Sequence, residues 1–408
     1  MAKQQGKTVF TRWWRKRYSQ LSPNLQLVGL QMWMPLFFIT MFCLCYIYAF
    51  HAPTLQDMPI GYVASSQATG TQGKSLEKML KGAIKISFYP TFDAASAAVR
   101  KGDMAAAIAS GAKSDTLIIA SSHQNQAAII AEKVITPAEA ALGKTLKDAD
   151  IAPLPPYDWA GTVTMYLMMV TCFGGYMVAM FLSMVGGPLK HSTRLITLGL
   201  MSFITSFIVQ FLVGPVIGAV HGHFLLLWMS GWLWMFTIGV FVNGIGYFTG
   251  RFVTVAAMLV FIFLSMPASG GAFPVYMMPK LFQVLNHVVV GGALSEMFRH
   301  IIYNVGPGLL RAYIMAAGYL IVGVILSIVG KRYWEWKQAS RILAGETTMF
   351  KDANDAKAAN SDRIRRQIFK DAGIPFPDDV PIEVADEAIA VSGHVDDMFY
   401  APNELTHD

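Results

Sequence analysis

Between residues 161 and 330 the chain carries one carboxylate, Glu296, against six lysines and arginines. Few environments permit so long a stretch with one acid. A charge at mid-bilayer costs about 3 kcal/mol or more, so lipid is the solvent that empties a sequence of charge in this way. Composition agrees: 54% of residues are apolar, 14% are charged and the mean hydropathy is +0.43. Soluble domains run at about 45–50% and about 25%. These figures exclude a disordered chain, a coiled coil and an ordinary cytosolic enzyme. They point to a polytopic α-helical membrane protein.

The remaining charge falls in blocks. Residues 1–28 hold six basic residues and no acid; 51–160 hold ten of each; 331–370 hold ten basic residues and five acids; 371–408 hold ten acids and no Lys or Arg. The pI near 9.0 therefore reflects membrane flanks, and no nucleic-acid partner is expected.

A span needs about 20 apolar residues. Six segments qualify: 29–50, 161–184, 196–220, 224–249, 252–269 and 310–330, the fifth short and ending at Pro267. The first is too long for a signal-peptide core and no A-x-A site follows, so it reads as an uncleaved span. Lys3, Lys7, Arg12, Arg15, Lys16 and Arg17 precede span one, Lys190 and Arg194 lie between two and three, Arg251 between four and five, and Lys331, Arg332 and Lys337 after six. The positive-inside bias then predicts both termini in the cytoplasm, residues 51–160 outside, and the plasma or inner cell membrane as location. Trp13 and Trp14 beside four cations fit either a helix lying on the inner leaflet or a plain basic flank.

Residues 51–160 read as an extracytoplasmic α/β domain. Strands are expected at 59–65, 84–89, 104–109 and 116–120, and helices at 74–83, 91–101 and 124–147, the last interrupted near Pro137. Pro153, Pro155 and Pro156 make a stiff linker into span two. The run Ala68–Ser75 loosely matches a phosphate-binding loop, but the first Gly is missing and no strand with a Mg²⁺-binding Asp follows. The expectation is a Gly-rich strand-to-helix turn, with Ser75 capping the helix.

Residues 267–309 are too apolar for a solvated loop and too broken for a full span. A re-entrant helical pair dipping in from outside fits both features, with Ser269–Gly271 as the reversal and Phe273-Pro274 following. Glu296 and Arg299 are three apart, so they share a helix face and can pair. They form either a gate on an exit path or an interfacial ion pair that fixes the hairpin. Inside the spans, Gln210 and Asn243 are the main amides. Each lines a pathway or makes an interhelical hydrogen bond, and Gly239, Gly244, Gly246 and Gly250 around Asn243 allow close helix approach. Six methionines along span two suit a lipophilic ligand or plain packing. Cys43, Cys45 and Cys172 lie in apolar segments without metal or redox spacing. No metal-binding, cofactor-binding or catalytic motif stands out, and no enzyme activity is expected. His221 and His223 read as a polar turn.

The order of parts resembles the YhgE/Pip (phage infection protein) branch of the type-2 ABC exporter permeases. The matching pieces are His51-Ala52-Pro53 with Met58–Val63, then Phe92–Ala95 with Val99–Ile108, and finally Ser269–Pro274, Pro279–Gln283 and Glu296–Arg299 in the same order and spacing. The resemblance implies a membrane subunit that dimerises and exports an amphipathic or lipid-like substrate, with ATP used by a separate cytoplasmic ATPase. It makes the inner loop 186–194, with Lys190, His191 and Arg194, the coupling contact, although as a plain sequence this loop is also a positive-inside turn. Gln210, Asn243, Glu296 and Arg299 are pathway or gate candidates on their own chemistry, as polar groups within the membrane block. The alternative is a non-transporting envelope protein whose outer domain docks a secretion machine or phage. The tail 331–408 is expected to be cytoplasmic, disordered and acidic from about residue 371.

Overall fold

A computed structural model of the 408-residue chain describes residues 33–51, 55–64, 67–111, 114–185, 190–343 and 369–373. The expected N-terminal interfacial helix, the expected inner loop at 186–189 and the acidic tail from residue 374 on lie outside the described residues. The chain divides into two compact units, Leu36–Ala339 and a second made of Met1–Pro35 with Ser340–Asp408.

The segment before the long helices folds as an α/β domain with five strands among its described residues: β1 Met58–Val63, β2 Ile84–Tyr89, β3 Ala106–Ala109, β4 Ser114–Ile119 and β5 Thr145–Asp150. Their order is β2-β1-β3-β4-β5. β1 runs parallel to β2 and β3, β3 antiparallel to β4, and β4 parallel to β5. Strand alternation divides the side chains between two cores. Met58, Ile60 and Tyr62 meet Leu76 of helix α1 (Gln67–Met79) and Ala131 and Ile135 of helix α3 (Asn125–Ala141). Ala107 and Ile118 meet Ala95 and Val99 of helix α2 (Phe92–Lys101) on the opposite face. Helix α2 has sequence-coded ends: Thr91 Oγ1 accepts the Ala94 amide at 3.2 Å, and Gly102 closes it at φ 89°.

Two expectations for this domain need correction. The Ala68–Ser75 run is not a turn but the body of α1, and Ser75 donates its hydroxyl back to the Thr71 carbonyl instead of capping. Gly73 is there for packing: a Cβ would come within 2.8 Å of the Phe88 ring, where the helix crosses the sheet. The helix expected to run to residue 147 ends at Ala141, and Thr145–Asp150 is strand β5. Pro137 is accommodated within α3.

Among the described residues, four helices are long and apolar enough to cross a membrane: α4 (Val163–Val185), α5 (His191–Phe211, continuing as a π-helical turn to Val216), α6 (Phe224–Thr249) and α10 (Leu310–Leu343). The first and fifth expected spans appear as shorter apolar helices, Met34–Phe50 and α7 (Val253–Ala268), each containing a π-helical stretch. Between α7 and α10 the chain forms a helical pair, α8 (Lys280–Asn286) and α9 (Val290–Tyr303), bent by 63°.

Helix α6 is the most enclosed of the four, with 56% of its apolar window buried against 22% for α5 and for α10. Small residues bring it close to its neighbours. A Cβ on Gly244 would sit 2.7 Å from Leu326 Cβ, and one on Gly323 would sit 2.8 Å from the Phe241 backbone. Backbone proximity of this kind replaces the hydrophobic drive that lipid does not supply. Exposed Ile196, Leu200 and Ile204 on α5 and Ile314, Ile321 and Ile325 on α10 leave apolar faces suited to lipid.

The helices alternate between two ends. At one end the Tyr157 ring of the domain linker lies 4.4 Å from His221 in the α5–α6 turn. At the other, Arg194 sits 4.8 Å over the Tyr247 ring and Phe248 stacks on Tyr333.

Candidate functional site

The α/β domain meets the helices at the segment 267–309, and this junction holds a cluster of buried polar groups, among them Asp158, Ser269, Asn286 and Arg299. Gly270 adopts φ 69°, which lets the chain reverse after α7. Ser269 steadies the reversal: its hydroxyl donates to the Met266 carbonyl at 2.7 Å and accepts the Gly271 amide at 3.0 Å. The Gly270 carbonyl takes two donors from different regions, Gln124 Nε2 of the domain at 2.6 Å and Arg299 Nη2 of α9 at 2.9 Å. Pro274 opens a 3₁₀ turn at Val275–Met277, and Phe273 packs near Phe50 of the first apolar helix.

Asp158 performs a second joining role. Its carboxylate accepts the amides of Thr162 at 3.1 Å and Val163 at 3.2 Å, capping the first turn of α4. The same carboxylate accepts the Tyr303 hydroxyl from the end of α9. Val305, just beyond α9, completes the domain core beside Val99, and the Gly306 amide donates to the Arg100 carbonyl at 2.9 Å. The domain is therefore built onto the bent pair rather than hung from a linker.

Glu296 and Arg299 share a helix but do not pair with each other. Glu296 accepts Arg311 at the start of α10, and Arg311 also donates to the Asn286 carbonyl at 2.8 Å. Asn286 in turn donates to the Ala268 carbonyl at 2.6 Å. Arg311 thus ties α7, both arms of the bent pair and α10 together. Among the described residues, no carboxylate forms an ion pair with Arg299, which is 7% exposed.

The other candidate residues are dispersed. Gln210 is buried and lines a cavity of about 370 Å³ with Pro215, His221 and Phe224 at the domain end of α5 and α6. Asn243 is fully buried, donates to Ser327 Oγ at 3.2 Å and leaves its Oδ1 without a partner. Lys190 is exposed, His191 is half-buried, and Arg194 is 3% exposed beneath Tyr247, donating to the Leu182 carbonyl at 3.4 Å.

Sequence reasoning missed Gln124, Asp158, Tyr303 and Arg311. The signal for Arg311 was present: it is one of seven charges in 161–330, and Glu296 is the only acid there. The capping role of Asp158 was a local signal too, since Thr162 and Val163 are four and five residues on, whereas the Gln124–Gly270 and Asp158–Tyr303 bonds gave none, because their partners are more than 100 residues apart in the chain.

His123 packs into this junction, its ring occupying the space a Cβ on Gly102 would fill. Burial, with the Arg299 charge adding to it, pushes its pKa down to about 3 and keeps the imidazole neutral. Within the domain, Asp115 is fully buried and accepts Lys144 Nζ at 2.9 and 3.0 Å. Burial and the Asp115 charge push the neighbouring Glu139 carboxyl above its usual range.

No family model matches the chain, and no curated protein or solved structure is significantly similar to it.

Proposed function

We propose that this chain is the membrane subunit of an ABC-type exporter of the YhgE/Pip kind, moving an amphipathic or lipid-like substrate outward at the expense of ATP used by a separate cytoplasmic ATPase. The observation that carries the reading is the mechanical link from the domain to the long helices. The α/β domain is hydrogen-bonded to a bent helical pair, and Arg311 clamps that pair to α10. Helix α10 then runs the length of the bundle to the end where Arg194, Tyr247 and Tyr333 lie.

In this reading the chain crosses the cell membrane six times, with both termini cytoplasmic and residues 51–160 outside. Two copies form the transporter. The exposed Lys190 and the loop before it meet the ATPase, while buried Arg194 holds α5 against α6. Glu296, through Arg311, sets the position of the bent pair at the outer end of the path. Transport needs no covalent chemistry from this chain; two packings of the dimer expose the cavity differently and ATP use biases them.

The test is purification in mild detergent followed by an ATPase assay of what co-purifies. The reading expects a bound ATPase that is lost in Lys190→Glu and kept in Arg194→Lys. Recovery of outer-domain partners with no ATPase would replace it with a non-transporting docking protein.

A further inference from the structure

A cavity of about 260 Å³ opens at the junction between the α/β domain and the membrane helices, lined on the domain side by the first turn of α3 and on the other by Arg299, Met165 and Phe273. Three features of its wall converge on one kind of ligand. The first is α3, a 17-residue helix whose cap residue Gln124 makes no side-chain cap and donates its Nε2 to the Gly270 carbonyl. Asn125 and Gln126 of that uncapped turn line the cavity, and the first amides of a helix carry its positive dipole end. The second is Arg299, buried, in the wall, and without a carboxylate partner among the described residues. The one nearby acid on its helix, Glu296, is taken by Arg311. The third is Ser122, 4% exposed, also in the wall, whose hydroxyl meets no hydrogen-bond partner.

A buried guanidinium, a hydroxyl without a partner and an uncapped helix start form a donor-rich pocket; no acid lines it, and the nearest carboxylates, Asp150 and Asp158, sit behind the wall and accept from Ser121 and Thr162. Arg with helix-terminal amides is the usual donor set for a phosphate group. Met165 and Phe273 give the same cavity an apolar side near the start of α4. We infer that this junction is a binding site for a phosphate-bearing anion, held by Arg299, the Ser122 hydroxyl and the first turn of α3. The site stands whether or not the chain transports anything, and it would brace the domain on the bent pair when filled.

The test uses the full-length chain in a non-ionic detergent. Binding is measured by the rise in melting temperature with inorganic phosphate and, separately, with short-chain phosphatidylglycerol; short-chain phosphatidylcholine controls for lipid without net charge. The proposal expects saturable stabilisation by phosphate, by phosphatidylglycerol or by both. Phosphate acting alone identifies a free-anion site, and phosphatidylglycerol acting where phosphate does not identifies a lipid headgroup site. Ser122→Ala removes a hydroxyl that bonds nothing in the protein, so its unliganded melting temperature should match the parent while affinity falls several-fold. Arg299→Lys should weaken binding by about tenfold. No saturable stabilisation by either anion, equal stabilisation by phosphatidylcholine, or unchanged affinity in a normally folded Ser122→Ala would overturn the proposal.

Discussion

Two buried arginines mark opposite ends of this molecule, and they are held in different ways. Arg194 lies over the Tyr247 ring and reaches the Leu182 carbonyl, closed in by α4, α5 and α6. Arg299 spends Nη2 on the Gly270 carbonyl and presents to a cavity. Neither forms an ion pair with a carboxylate among the described residues. Burying an unpaired charge is costly, so each site must supply compensation. At the Arg194 end an aromatic face, the Leu182 carbonyl and the Ser183 hydroxyl supply part of it within the helix packing, with Nε left unpartnered. At the Arg299 end the protein's own groups leave room for a ligand. One cation packs a bundle, and the other waits beside a polar cavity.

The comparison can be broken at the junction first. Arg311→Gln should leave the Glu296 carboxylate without its cation and loosen the bent pair from α10. A loss of about 2–3 kcal/mol is expected in thermal or denaturant unfolding, moderated by the partial exposure of both side chains. The double variant Glu296→Gln with Arg311→Gln should recover much of that loss, because it removes the orphaned charge as well.

The second effect concerns pH. His123 is neutral in the fold with its pKa near 3, while an unfolded imidazole titrates near 6.5. The folded state therefore binds fewer protons below pH 6.5, and the stabilising contribution is full above 6.5 and lost progressively as pH falls. From pH 7 to pH 5 the expected loss is about 2 kcal/mol. Melting curves at the two pH values should differ less in His123→Gln than in the parent.

Smaller changes sharpen the contrast between the arginines. Arg194→Lys keeps charge but loses the flat guanidinium over Tyr247, a loss of about 1 kcal/mol in unfolding. Ser122→Ala, whose hydroxyl has no partner, should change unliganded stability by less than about 0.5 kcal/mol in the same assay.

The coarse layout was legible because charge cannot hide in lipid. One acid in 161–330, a domain with balanced charge and a broken apolar segment before the last helix all follow from composition along the chain. Helix α2 was legible too, since Thr91 and Gly102 are local signals. Strand β5 was not: its sequence TLKDAD is polar, and as an edge strand it pairs, among the described residues, with β4 alone. Edge strands carry charge to discourage further pairing, so their pattern resembles a solvated helix. The N-terminal half of α1 was misread because Gly70 and Gly73 suggest a turn, whereas Gly73 is needed where α1 crosses Phe88 and Tyr62. The Glu296–Arg299 pair failed for another reason. Helical spacing permits a pair, but the third dimension brings Arg311 to Glu296 and a carbonyl to Arg299.

The central claim is that the two ends face opposite sides of a membrane, with the α/β domain outside. In a variant lacking Cys43, Cys45 and Cys172, single cysteines placed at the exposed positions Lys133 and Lys190 can be labelled in intact cells with a membrane-impermeant maleimide. The account predicts that Lys133→Cys is labelled at once and Lys190→Cys only after the cells are permeabilised. Labelling of both in intact cells, or of Lys190→Cys alone, would contradict it.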